Sequence, residues 1–230
     1  PSRLQSKLAG AIKDHRLRRE IISTMLANSM INRCGATMIV RLTDETGADV
    51  PDIAAAFAAA RNAFGLTEVN GEIDALDNII SGELQLELYA SLQDLLLRAT
   101  VWFLRNVDME RGLAEVIAHY RKATARLVAG LAKVVPAEDA ERIATRRDEL
   151  VEAGLPEDLA VRSAGARWLA RAPDIVLVSD RTGKSLGAVA ETFFAFSAHF
   201  HVDDLADTAR SLAAVDYYDR MALNRTLDLI

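Results

Sequence analysis

Arginine and asparagine side chains are concentrated between His15 and Gly35, and their chemistry is the recognition of anions. Guanidinium groups bind carboxylates and phosphates through paired N–H donors, and amide side chains add further hydrogen bonds. The six residues concerned are Arg16, Arg18, Arg19, Asn28, Asn32 and Arg33. This pattern predicts an interdomain contact with an acidic surface. The alternatives are ion pairs with carboxylates of the same domain and, for the asparagines, hydrogen bonds between packed helices.

A second stretch looks like the end of a phosphate-binding loop, because Gly183-Lys184-Ser185 copies the last part of the motif GxxxxGK[ST]. The first glycine of that motif would stand at position 178, where the sequence has Val178. A backbone without that glycine cannot wrap closely around a phosphate. We therefore interpret this segment as a turn followed by a helix cap, and we expect no nucleotide site here.

Other signs of catalysis are weak. His199 and His201 are two residues apart, which on a helix places them on different faces, and we interpret Asp203-Asp204 as the cap of the next helix. Cys34 has no neighbour that would activate it and is expected to be a small buried side chain. None of the twelve glycines forms a GxGxxG motif. The sequence thus predicts no catalytic residue, no cofactor-binding residue and no metal ligand in this chain.

The charge of the chain is unevenly distributed. Residues 1–33 contain seven basic and two acidic residues, a local charge of +5, and the remaining 20 basic and 31 acidic residues give −11. A basic first helix facing an acidic body is the simplest interpretation. The overall charge of −6 argues against general nucleic-acid binding, which requires clustered positive charge.

The composition favours helices. Hydrophobic residues make up 50% of the 230 residues, only 6% are aromatic, and alanine dominates the apolar set. The single cysteine excludes an internal disulfide, and we find no signal sequence and no long apolar span. We therefore expect an all-α protein that is cytoplasmic and not bound to a membrane.

Hydrophobic spacing and caps predict where the helices lie. An apolar stripe from about residue 3 to 33 predicts one long helix that ends at Gly35. The other predicted helices cover Met38–Leu42, Val50–Phe64, Thr67–Leu76, a continuous stretch from 82 through Asp108 to about Val134, Pro136–Ala153, Pro156–Arg171 and Tyr217 onward.

The chain also matches itself at an offset of 136 residues. Thr46-Gly47 corresponds to Thr182-Gly183, and the cap Asp49 corresponds to Ser185. Apolar positions agree on both sides of this turn over about 38 positions. The predicted fold is therefore an all-α multi-helix bundle with two related helix-turn-helix units, an internal pseudo-repeat of residues 38–76 and 174–212.

The stretch HRLRREIISTMLANSMINRCGATMIVRLTDETGADVPDIAAAFAAARNAFGL resembles the C-terminal helical region of the large bacterial NAD-specific glutamate dehydrogenases. The similarity continues through Gln85-Leu86 and the segment from Arg98 to Asn106, and it resumes at Asp174-Ile175 and Thr182-Gly183. Residues 107–172 match only in helical character.

This resemblance implies that residues 1–230 form a single C-terminal helical domain excised from a longer multidomain chain, with a possible subdivision into 1–106 and 107–230. The parent would oxidise L-glutamate to 2-oxoglutarate and ammonia with NAD as cofactor. The family's catalytic lysine and glycine-rich NAD loop belong to preceding domains, so the fragment itself would bind no cofactor and would not be catalytic.

The partners that this resemblance implies are the catalytic domain of the same chain and neighbouring subunits of a homo-oligomer. Pro1 is not a natural start, which also indicates a piece of a longer chain. The rival interpretation is a free-standing helical adaptor or scaffold protein. A third class, a basic-helix nucleic-acid binder, conflicts with the acidic remainder of the chain.

Overall fold

The structure is a computed structural model, which describes residues 14–109, 112–213 and 216–227. All regular secondary structure in these ranges is helical, which confirms the predicted all-α class. The thirteen helices are α1 (Arg18–Cys34), α2 (Met38–Thr46), α3 (Val50–Ala63), α4 (Leu66–Asp74), α5 (Gly82–Asn106), α6 (Leu113–Val134), α7 (Ala137–Glu152), α8 (Glu157–Ala164), α9 (Ala166–Leu169), α10 (Ala172–Thr182), α11 (Leu186–His199), α12 (Val202–Ser211) and α13 (Tyr217–Leu227).

Polar residues cap several helices where the sequence predicts a start. Asp49 accepts a hydrogen bond from the backbone N–H of Asp52 at 3.1 Å, and Ser185 accepts one from Ala188 at 3.3 Å. Each cap satisfies one of the free N–H groups that every helix start leaves. The interpretation of Gly183-Lys184-Ser185 as a turn and a cap is therefore confirmed, and the element that precedes it is the helix α10.

Two of the predicted helices differ from the described elements. Within the residues that the structure describes, the first helix begins at Arg18. The part of that prediction covering residues 3–13 lies outside the described residues, and residues 14–17 form a turn in which His15 Nδ1 accepts a hydrogen bond from the N–H of Leu17. The stretch predicted from Pro156 to Arg171 is divided into α8 and α9 at Gly165. A Cβ there would lie 2.7 Å from a methyl group of Leu131, so glycine permits close approach to α6.

The continuous helix predicted from residue 82 to about Val134 is wrong. α5 ends at Asn106, Val107 is extended, and α6 starts only after Gly112, whose φ of 111° is unfavourable for residues with a side chain. Apolar spacing alone does not reveal this break, because both halves carry helical patterns. As two separate helices, α5 and α6 both pack on α3.

Helix α3 is the centre of the bundle. It packs against α1, α2, α5 and α6, and its alanines let these helices approach on several sides. The side chains of α3 that are completely inaccessible to solvent are Ile53, Ala56, Phe57, Ala59 and Ala60. One hydrophobic cluster draws residues from both sides of position 106, while the subdivision into 1–106 and 107–230 stays a prediction.

The two predicted repeat units share a local turn but differ in packing. Thr46 Oγ1 donates to Leu42 O and Thr182 Oγ1 donates to Val178 O, and each threonine precedes a glycine with positive φ. Packing of the matched apolar positions diverges after the second helix: Val69 is 4% exposed and its counterpart Leu205 is 57% exposed. The pseudo-repeat is not confirmed and stays a prediction.

Candidate functional site

Helix α1 extends beyond the body of the bundle. Its residues at four-residue intervals form one stripe, in which Cys34 and Met30 are buried, Leu26 is half-buried and Ile22 is 50% exposed. Such a stripe lies along one side of a helix. The stripe of α1 stays apolar beyond the point where other helices pack against it. We call residues 18–25 the α1 overhang; all eight residues are exposed.

The α1 overhang and the turn before it present apolar and basic side chains together. The exposed apolar side chains are Leu17, Ile21, Ile22 and Met25, with exposed fractions of 46%, 38%, 50% and 68%. Arg16, Arg18 and Arg19 are exposed beside them. Several large apolar side chains grouped in this way indicate a contact surface rather than ordinary solvent exposure.

The six residues predicted as one interdomain contact do not form one compact surface. Arg18 and Arg33 are separated by about 22 Å along the helix axis, because each residue advances an α-helix by about 1.5 Å. Arg16, Arg18 and Arg19 lie at the overhang, Asn28 is exposed between the two ends, and Asn32 and Arg33 lie at the other end. Their common role as an interdomain contact stays a prediction.

Asn32 and Arg33 line a cleft of about 340 Å³ between α1, α4 and α5. The other lining residues are Asn70 of α4 and Tyr89, Leu92, Gln93 and Leu96 of α5. Asn70 is buried and its amide donates to Leu66 O at 2.6 Å. The hydroxyl of Tyr89 donates to Asp74, and burial together with this hydrogen bond raises the pKa of Tyr89 to about 12.

A second guanidinium group lies close to the cleft. Arg61 of α3 donates a hydrogen bond to Ser29 Oγ at 2.9 Å, and its guanidinium lies 5.7 Å from the ring centroid of Phe57. Burial lowers the pKa of Arg61, the positive charge of Arg33 lowers it further, and Glu68 raises it. Positive charge is therefore concentrated where α1 crosses α3.

Cys34 is buried, as predicted, and is poorly suited to nucleophilic chemistry. Burial raises the pKa of its thiol to about 11, although the charges of Arg41 and Arg33 act in the opposite direction. The thiol is consequently protonated near neutral pH, and a protonated thiol is a weak nucleophile.

The histidine region differs from its predicted form in one respect. His201 has a positive φ of 53° and directly precedes α12, so Asp203 and Asp204 lie in the first turn of that helix rather than at its cap. Acidic residues in the first turn are still stabilised by the positive end of the helix dipole. Asp203 accepts a hydrogen bond from Arg171 at 3.2 Å, and His201 Nδ1 lies 3.1 Å from Asp204 Oδ2.

A membrane-spanning helix and a metal-binding cluster are both absent from the ranges that the structure describes. No helix there combines the length and the apolar character needed to cross a membrane. Within the same ranges, no group of three or more histidine, cysteine, aspartate and glutamate side chains is placed to hold a metal ion.

Sequence reasoning missed most of the cleft and one exposed aromatic pair. Asn70, Tyr89 and Gln93 come from helices distant in sequence from α1, and no local motif connects them. The rings of Phe196 and Phe200 lie 4.5 Å apart and are 58% and 59% exposed; their four-residue spacing was the available signal.

The chain is similar to proteins of one known family. The family described as Glutamate dehydrogenase, C-terminal matches residues 1–230. The chain is 35% identical over 204 residues to the NAD-specific glutamate dehydrogenase of Halomonas elongata, covering 88% of this chain and 12% of that protein. It is 35% identical over 195 residues to the NAD-specific glutamate dehydrogenase of Pseudomonas aeruginosa, covering 85% of this chain and 12% of that protein.

A more distant relative covers more of the chain. The NAD-specific glutamate dehydrogenase of Mycobacterium tuberculosis is 25% identical over 222 residues, which is 96% of this chain and 14% of that protein. The chain thus spans a small part of the length of each of these relatives. Because the family match extends over all 230 residues, this chain belongs to the glutamate dehydrogenase C-terminal family.

Proposed function

We propose that this chain is the non-catalytic C-terminal helical part of an NAD-dependent glutamate dehydrogenase. The parent would oxidise L-glutamate to 2-oxoglutarate and ammonia and transfer a hydride to NAD. The names of the relatives and the small share of their length that this chain covers support this assignment. NAD would bind elsewhere in the parent, since no glycine-rich dinucleotide motif occurs in these 230 residues.

The role of this part would be to pack on the catalytic region of the same parent chain, with neighbouring subunits of an oligomer as a further contact. The observation that carries this proposal is the α1 stripe, which is buried at Met30 and 50% exposed at Ile22. Covering the exposed apolar side chains of the α1 overhang would contribute roughly 1 kcal/mol each, since they are already partly shielded.

Charge defines the partner surface more narrowly. Arg16, Arg18 and Arg19 flank the apolar side chains, so the surface that covers them should carry carboxylates around an apolar centre. Arginine–carboxylate pairs in a partly dry interface contribute about 1.5–3 kcal/mol each. The overhang would therefore be held by both apolar burial and ion pairing.

The test compares three forms of the parent: the full-length enzyme, a form that lacks this region, and the truncated form with this region added in trans. We expect glutamate-dependent NADH formation to be lost on truncation and restored in part by addition. Full activity of the truncated form would contradict a role in assembly. An intact parent without glutamate-dependent NADH formation would contradict the dehydrogenase assignment and favour the adaptor interpretation.

A charge-reversal pair tests the surface itself. Arg18→Glu with Arg19→Glu in the parent should weaken assembly or activity, while the 230-residue chain with the same substitutions keeps its fold. The matched control is Lys122→Glu with Arg126→Glu, which changes the charge equally on an exposed part of α6. A parent unaffected by the α1 pair, or equally affected by the control pair, would contradict docking through the overhang.

A further inference from the structure

The cleft between α1, α4 and α5 contains hydrogen-bond donors that have no partner among the described residues. Asn32 and Gln93 are exposed, Arg33 is half-buried, and none of their side chains makes a hydrogen bond or an ion pair with another described residue. Together a guanidinium and two amides offer up to nine N–H groups to one volume of about 340 Å³. Ligand pockets in proteins have volumes of this order.

Two carboxylates of α4 beside this region already have partners. Asp74 accepts the hydroxyl of Tyr89, and Glu68 accepts a hydrogen bond from Arg121 at 2.8 Å. Arg33 lies in the last turn of α1, where a cation is favoured by the helix dipole. The dipole accounts for an arginine at this position, but it does not account for the two free amides that face the same cleft.

Arg33 and Arg61 are two positive charges that affect each other. Arg33 is one of the causes that lower the pKa of Arg61, and Arg61 Nε is buried without a hydrogen-bond partner among the described residues. Two guanidinium groups close together repel each other, and an anion bound beside one of them relieves that repulsion. An anionic ligand would thus be favoured by charge as well as by hydrogen bonding.

The remaining wall determines the class of anion. Leu92 and Leu96 of α5 line the same cleft, so a bound molecule contacts an apolar surface next to the donors. We propose that this cleft binds a short-chain carboxylate. The carboxylate group contacts Arg33, Asn32 and Gln93, and the hydrocarbon chain lies against the two leucines. A bare inorganic anion satisfies the donors but makes no use of this apolar wall.

This binding is independent of the proposed dehydrogenase role, because it can be measured directly on the 230-residue chain. The probe is glutarate, titrated into isotope-labelled protein while amide signals are followed by NMR spectroscopy, and sodium sulfate at matched ionic strength is the comparison. We expect saturable shifts of the side-chain amide signals of Asn32, Asn70 and Gln93 with glutarate, and an affinity for sulfate that is weaker by about tenfold or more. Absence of saturable shifts, or equal binding of sulfate, would overturn the proposal.

Variants identify the residues responsible. Arg33→Gln should weaken glutarate binding by about tenfold or more, the factor expected when a charge-assisted hydrogen bond is lost. Arg126→Gln is the matched control, because Arg126 is an exposed arginine of α6 that makes no ion pair with a described residue, and it should leave the affinity unchanged within about twofold.

A second variant keeps the test decisive if Arg33→Gln disturbs the end of α1. Gln93→Leu replaces an exposed side chain in the middle of α5 and should preserve the backbone spectrum while weakening binding by about threefold. Unchanged glutarate affinity in a folded Gln93→Leu protein would overturn the assigned site.

Discussion

The indole Nε1 of Trp102 donates a hydrogen bond of 2.6 Å to Oδ1 of Asp174, which ties α5 to the first turn of α10 across 72 residues of sequence. Burial raises the pKa of Asp174, while the hydrogen bond from Trp102 and the charge of Arg171 lower it. The ring of Trp102 also makes edge contacts with Phe103 and Tyr120. The hydrogen bond thereby offsets part of the cost of burying a carboxylate where α5, α6 and α10 meet.

Replacing Trp102 with phenylalanine should lower the free energy of unfolding by about 1–3 kcal/mol at neutral pH, because the Asp174 carboxylate loses a donor while it stays half-buried. The substitution should also raise the pKa of Asp174 further. Since a raised carboxyl pKa favours the folded state at low pH and disfavours it as pH rises, the loss of stability should shrink near pH 3.5.

Urea unfolding at the two pH values measures this effect. Trp168→Phe is the control. The indole of Trp168 makes no hydrogen bond with a described residue, and Trp168 is half-buried like Trp102. A Trp102→Phe loss that is independent of pH would show that ring packing, not the Asp174 carboxylate, causes it.

Replacing either of two α1-stripe side chains with alanine should have different effects on stability. Met30→Ala should lower the free energy of unfolding of the 230-residue chain by about 2–5 kcal/mol, because Met30 is 3% exposed and its removal leaves a cavity. Ile22→Ala should change it by less than about 0.5 kcal/mol, because Ile22 lies on the overhang. Chemical unfolding measures both; similar losses would mean that Ile22 is covered within this chain.

Two glycine substitutions should have opposite signs. Gly183→Ala should destabilise the fold by about 1–2 kcal/mol, because φ is +67° and the added Cβ meets no other group that could compensate. Gly130→Ala in α6 should stabilise it by about 0.4–1 kcal/mol, since the site is helical and a Cβ meets open space. Melting temperatures of the two variants test this, and a shift in the same direction for both would contradict the backbone argument.

The reactivity of Cys34 should rise at unusually high pH. Its pKa is raised from 9.0 to about 11, so alkylation by iodoacetamide should stay slow through pH 9 and increase toward pH 11. A raised pKa means that burial of the neutral thiol stabilises the fold fully below pH 9, and this contribution is lost as pH rises through about 11.

The control for this measurement is the same chain unfolded in urea, whose thiol should titrate near its ordinary pKa. Cys34→Ala should remove the thiol's part of the alkaline loss of stability. Alkylation of the folded chain with a midpoint near pH 9 would contradict the buried, protonated thiol.

Much of the helix content follows from local residue chemistry. Asp49 and Ser185 cap α3 and α11 through hydrogen bonds within the same turn, and Gly47 and Gly183 adopt the positive φ that ends the preceding helices. These features depend on neighbours in sequence, so they are predictable without knowledge of the fold. Family membership was likewise visible in residues 15–66.

Packing decided what local patterns left open. Periodicity indicated one helix from residue 82 to 134, yet α5 ends at Asn106 and α6 begins after Gly112, and both helices bury apolar stripes against α3. The same periodicity made α1 a single apolar stripe. The tertiary structure shows that the packed helices cover this stripe at Met30 and no longer cover it at Ile22.

By itself, the sequence determined the all-helical class, the main caps and turns, the buried cysteine and the family, because each depends on residue identity or on spacing within one or two turns. The tertiary structure decided which part of α1 is exposed and which side chains share the Arg33 cleft. Asn32 and Gln93 face one volume only because α1 packs beside α5, and such a relationship between distant segments is set by the burial of whole helices rather than by any local motif.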